Sequence, residues 1–247
     1  MTVLSMEALV AAGMQGAPED RMGLLLEAAG CKFHDSHRRL LESPAVGLLM
    51  VGGIPAADFE DIQAITASTM RGAGFAAAMS YLTADGPLDA VANKVLDQGH
   101  HSIMHVVQVS LMVAGVSVGV ENEFNSQRDL LHMARVTVAR TRAQSRPPVV
   151  VPDPSFLDVY IEVLGGVDGI RGRLEIAGRD DLEAANLLYP AGKATAFVLS
   201  GSLRNFEKLL GAETDPGKEA EFRRVLGLIR GCLGGFWPSL FKPIAEG

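Results

Sequence analysis

Gly99-His100-His101-Ser102-Ile103-Met104-His105 runs directly into Val106-Val107-Gln108-Val109-Ser110-Leu111-Met112-Val113, and the reading of this stretch decides the fold. Its second half alternates, with Val107, Val109, Leu111 and Val113 on one side and Val106, Gln108, Ser110 and Met112 on the other. That period of two predicts a half-buried strand over 105–113, entered through a Gly-His turn that gathers polar groups at its mouth. Beyond it, residues 118–142 read at a period of 3.6 predict one helix. On that helix Glu121, Asn125, Arg128, His132, Arg135 and Arg142 form a single stripe, beside an apolar face of Val120, Phe124, Leu131, Ala134 and Val138.

Arginines repeated every seven residues repel one another unless something negative lies alongside, and each guanidinium can grip a phosphate or carboxylate through two parallel hydrogen bonds. The stripe therefore points to an anionic ligand. It suits equally a solvated face or salt bridges across a subunit interface. His132 is the only member whose ordinary titration range spans neutrality, which makes it the candidate proton shuttle, flanked by Arg128 and Arg135.

The 247 residues suffice for one large domain or two small ones, and a hydrophobic fraction of 48% implies a globular chain with a substantial core. A formal net charge of -7 argues against general nucleic-acid binding, which draws its affinity from broadly spread Lys and Arg, and leaves open only a local basic groove. The two cysteines, Cys31 and Cys232, have no CxxC partner and signal neither a zinc ribbon nor a disulfide framework, so a reducing cytoplasm is expected. Cys31, His34 and His37 are not at a trusted metal-ligand spacing, and no metal is expected. Neither a signal peptide nor an apolar run of membrane-spanning length is evident.

Residues 1–44 read as an extension of two or three short amphipathic helices, and 45–247 as the main domain. Within the latter, 45–51 is a continuous apolar run closed by Gly52-Gly53, the pattern of a buried strand. Pro55 precedes a helix over 57–71, which Gly72 and Gly74 are expected to break, and Pro87 opens another through 97. After the proline-rich connector at 147–154 come helices near 156–164 and 180–188, a second strand at 193–199, and helices over 202–210 and 217–233. Helices grouped around a few strands without a βαβαβ rhythm indicate an α+β fold, with a central antiparallel or mixed sheet.

The order of these landmarks resembles the flavin-dependent thymidylate synthase family, ThyX. Ala77-Ala78-Met79-Ser80-Tyr81 is similar to the family's Ala-Ala-Arg-x-Ser-Phe stretch, and Gly99-His100-His101-Ser102 with His105 to its Gly-His-x-Ser-x-x-Glu-His turn. Gly115-Val116-Ser117, Glu183-Ala184-Ala185, Pro190, Ser202-Leu203-Arg204-Asn205-Phe206 and Glu221-Phe222-Arg223 follow in family order. The resemblance implies a homotetramer that binds FAD. It also implies reductive methylation of dUMP, with methylenetetrahydrofolate and NADPH as co-substrates where the family chemistry is retained. On it, His100, Ser102, His105, Arg140, Arg142, Ser145 and Asn205 are the candidate cofactor-binding residues.

The chain departs from the family at its signature, Arg-His-Arg-x-x-Ser-x-Asn-x-x-Ser-x-Arg. Asn125-Ser126-Gln127 stands where it is expected, and a partial echo, Arg140-Thr141-Arg142-Ala143-Gln144-Ser145, comes later. Asn186 and Leu210 replace further nucleotide-binding arginines. Two readings follow. One is a divergent flavoenzyme acting on an anionic or nucleotide-like substrate; the other is an oligomeric scaffold or ligand-binding protein that kept the fold and lost flavin. An enzyme using the pocket without flavin is a third.

Overall fold

The computed structural model describes residues 2–15, 20–35, 37–81, 86–127, 129–135, 148–151, 153–176 and 192–242. Two helices open the chain, α1 (Met6–Gln15) and α2 (Arg21–Ala28). These are two of the two or three helices expected over the first 44 residues; further on, the described residues of the extension form two strands, β1 (Lys32–His34) and β2 (His37–Ser43). The run at 45–51 is β3 (Ala45–Val51), and Gly52-Gly53, both at positive φ, turns it into the short β4 (Ile54–Pro55). A two-residue turn with both central residues left-handed matches the twist of an antiparallel pair, and glycine adopts it without strain.

α3 (Ile62–Tyr81) runs unbroken through Gly72 and Gly74, contrary to expectation. A Cβ on Gly74 would stand 1.7 Å from the carbonyl oxygen of Leu88, so this glycine lets the start of α4 (Leu88–Asp97) lie against the α3 backbone. Tertiary packing here outweighs the glycine's poor helix propensity. The alternating run is β5 (Gln108–Ser117), which begins three residues later than expected because His101–Val106 coils into a 3-10 helix.

The helix expected over 118–142 is corrected more heavily. Only α5 (Val118–Asn125) forms, capped by the Ser117 hydroxyl, which accepts from the Val120 N–H at 3.2 Å. The chain then turns and pairs as β6 (His132–Arg135) with β8 (Ala194–Ser202). Leu131 and Met133 pack against the core while His132 and Ala134 alternate with them, so sheet pairing overrides a weak helical period. β7 (Val149–Val150), α6 (Leu157–Ile176), α7 (Leu203–Leu210) and α8 (Ala220–Phe236) complete the fold. The helix expected over 180–188 lies outside the described residues.

The main sheet has the order β4-β3-β5-β8-β6, with every adjacent pair antiparallel; β1, β2 and β7 form a second sheet in which β2 and β7 run parallel. The fold is α+β, as expected. Odd-numbered positions of β5 and β8, among them Val109, Leu111, Val113, Phe197 and Leu199, join the large core formed with α3, α4, α5, α7 and α8. Met112, Ala114, Ala194 and Ala196 face the other way, into a smaller cluster with Leu9, Met22, Leu26 and Leu41 of the first 44 residues. Leu40, Val149 and Val151 form a third cluster with the inner side of α6.

Candidate functional site

The N-terminal layer stops short of one end of the sheet, and that end is polar. Ser110 pairs with Ser200 across β5 and β8, and Ser200 with His132 across β8 and β6, so the three share one row on the side away from the large core. The two serine hydroxyls lie 2.8 Å apart, and His132 is exposed on the edge strand. One step along β8, about 7 Å at strand rise, Ser202 pairs with Gln108. The Ser202 Oγ accepts from the Asn205 N–H at 3.2 Å, capping α7, and lies 3.2 Å from His105 Nδ1.

The Gly-His turn has a local cause. Gly99, at φ +82, donates to the Leu96 carbonyl at 2.8 Å and His100 donates from its N–H to Val95 at 3.1 Å. This pair of bonds is the Schellman closure of α4, which requires a left-handed residue just past the helix end. The closure aims the chain into the 3-10 helix and leaves His100, Ser102 and His105 on the exposed side of the turn, with His101 half-buried. His101 Nδ1 stands 2.6 Å from Glu207 Oε1, and Arg204 donates from Nη1 to the other oxygen, Oε2, at 2.6 Å.

A carboxylate acceptor at Nδ1 fixes the proton there and leaves Nε2 as the basic nitrogen, the arrangement that orients an imidazole for proton transfer. His101, Arg204 and Glu207 are the residues that reading the sequence missed. The Gly-His-His-Ser stretch offers adjacent imidazoles, and only the placement of α7 beside the 3-10 helix shows that His101 meets Glu207.

The stripe of the expected helix is dismantled. His132 and Arg135 are three residues apart on a strand, so their side chains leave opposite faces of the sheet. Arg135 Nε is 2.9 Å from Oε1 of Glu121, a buried carboxylate on α5. Arg135 is thus engaged by its own chain rather than set beside His132. Asn205 donates from Nδ2 to the Leu130 carbonyl at 2.7 Å, pinning the entry to β6. Arg128, Arg140, Arg142 and Ser145 lie outside the described residues.

Cys31 is buried, and burial pushes its thiol up to about 12. Among the described residues, no group of three His, Cys, Asp or Glu side chains converges on a metal position. No described helix is long and apolar enough to cross a membrane. A separate open cleft of about 470 Å³ lies between α3, α4 and the Trp237-Pro238-Ser239 corner, and none of the candidate residues lines it.

No protein-family model and no curated protein matches the chain. The fold does match a solved structure, the flavin-dependent thymidylate synthase ThyX of Helicobacter pylori in complex with FAD and dUMP. The TM-score is 0.56 at 14% sequence identity, over 70% of this chain and 94% of that one. The two share a fold.

Proposed function

We propose that this protein is a divergent flavoenzyme of thymidylate synthase type, acting in the cytoplasm as a homotetramer on an anionic, nucleotide-like substrate. The observation that carries this reading is the imidazole of His101, held at Nδ1 by Glu207 at 2.6 Å beside the polar end of a sheet. The fold it sits on is shared with a protein solved with FAD and dUMP.

His101 is the proton-transfer residue on this reading, oriented by Glu207 and Arg204, and His132 is a second titratable group on the open sheet row. The residues around the turn fit a flavin in their chemistry. His100, Ser102 and His105 offer N–H and O–H donors on one exposed surface, suited to the carbonyl-rich edge of the ring system. Arg140, Arg142 and Ser145 would hold phosphate oxygens, Arg128 would line the substrate pocket with His132, and Asn205 would support the cofactor side through the loop that it pins. FAD, when bound, would supply hydride transfer, with NADPH as its reductant and methylenetetrahydrofolate as carbon donor where the family chemistry is retained.

One observation favours the scaffold reading. Arg135 and Arg204 are each already neutralised by a glutamate of the same chain, which is what a protein freed from phosphate binding would show. A titration separates the two. Purified protein is expected to quench added FAD fluorescence saturably and to carry flavin absorbance near about 450 nm, with dUMP perturbing the bound spectrum. Protein that purifies without flavin absorbance and gives no saturable quenching of added FAD overturns the flavoenzyme reading in favour of the scaffold.

A further inference from the structure

Helix α6 is apolar on two sides, and the fold uses only one of them. Leu157, Tyr160, Ile161, Leu164 and Val167 pack toward Leu40, Val149 and Val151. From Phe156, at the entry to the helix, Val159, Val163 and Ile170 follow at spacings of three, four and seven, which the helical period places on a second stripe. These four side chains are 54%, 54%, 45% and 39% exposed. Gly166 sits within the stripe and Gly169 at its flank, and a Cβ on either would meet nothing within 4 Å. Glycine weakens a helix relative to alanine, so neither position is explained by contacts among the described residues.

The charges beside the stripe are sorted along the helix. Asp158 and Glu162 stand exposed in its first half, Arg173 exposed in its second. When two copies of such a helix run antiparallel about a two-fold axis near Gly166, Asp158 and Glu162 of one copy come level with Arg173 of the other. Val163 and Ile170 then straddle the glycine where the backbones approach. A parallel pairing would set like charges against each other, which is unfavourable.

We propose that the outer stripe of α6 docks a second copy of this chain, antiparallel and crossing at Gly166. The contact is isologous: each copy offers the same apolar stripe and the same two charged ends. It rests on the self-association already proposed and names the surface of one contact; it stands whether or not FAD binds, and an oligomer that does not use α6 sinks it alone.

Light scattering on the full chain at micromolar concentration tests it, together with three variants whose folding is checked by circular dichroism. The wild type is expected to be a dimer or a multiple of one. Arg173→Glu is expected to weaken association at least tenfold, and the double variant Glu162→Arg with Arg173→Glu to restore it. Gly166→Cys is expected to give a disulfide-linked dimer on mild oxidation, since both native cysteines are buried. A monomeric wild type overturns the proposal. So does an oligomer whose mass is unchanged by Arg173→Glu and that does not cross-link through position 166.

Discussion

The two faces of the five-stranded sheet are made by the same strands and carry opposite chemistry. Odd positions of β5 and β8 are sealed beneath five helices; even positions are covered only in part, and beyond Met112 and Val198 they turn to Ser110, Ser200 and His132. A strand's period of two lets one sequence specify a close-packed wall and a polar surface at once. Packing constrains the first face, while the second is left free to carry polar pairs.

The largest contrast comes from neighbours on β8. Phe197 is fully buried, with its ring 5.3 Å from that of Phe124, which in turn meets Phe222 at 4.9 Å. Phe197→Ala should cost about 3–5 kcal/mol, the transfer free energy plus the cavity left behind. Ser200→Ala, three residues on and facing the other way, should cost under about 1 kcal/mol, because half-buried Ser110 can turn its hydroxyl to water. Denaturant midpoints measure both, and equal losses would mean that the open face is packed as tightly as the closed one.

This contrast also explains what could be read from the sequence. The apolar run at 45–51 and the alternation through Val109, Leu111 and Val113 report burial, and burial follows from residue type and spacing alone. The stretch after Asn125 was harder, because no Pro or Gly marks the end of α5. His132 and Ala134 lie on one side of an edge strand whose identity depends on a partner more than sixty residues away. The signal available was local: Leu131 and Met133 alternate with His132 and Ala134, and Val136-Thr137-Val138 is β-branched throughout. His101 could not have been chosen over His100 by any local rule, since Glu207 reaches it from another helix. Gly99 could be expected to end a helix, but its value to the site lies in the direction in which the Schellman closure sends the chain.

The cysteines test both faces through pH. Cys31 belongs to the cluster beneath the N-terminal layer and Cys232 to the large core. Burial pushes their thiols up from 9.0 to about 12 and about 11, against smaller lowering effects from the backbone hydrogen bonds at Ala45 and Leu48. The unfolded chain releases these protons near 9 while the folded chain retains them. Each contribution is therefore whole below pH 9 and is lost as pH rises toward the folded value, at about 1.4 kcal/mol per unit for each thiol. Urea unfolding at pH 8, 9 and 10 should show stability falling above pH 9. Cys31→Ala should remove roughly half of that slope, and a slope insensitive to this substitution would mean that the N-terminal layer does not exclude water from its cluster.

Arg135 and His132 carry the comparison to its smallest effects, because they leave the same short strand for opposite faces. The Glu121 side chain retains 10% of its exposure against 40% for Arg135, so the ion pair is lopsided: the carboxylate is confined and the guanidinium is not. Arg135→Ala strands a confined negative charge and should cost about 1–3 kcal/mol, between the values for surface and buried pairs. Glu121→Gln leaves an arginine that can swing into water, and should cost under about 1 kcal/mol. His132→Ala, on the open row, should barely move the denaturant midpoint. Any loss it causes must then appear in ligand binding or turnover, which separates a residue held for the fold from one held for chemistry. If His132→Ala destabilises the protein as much as Arg135→Ala, then the open row belongs to the packed structure and His132 has no place in the chemistry, which is left to His101.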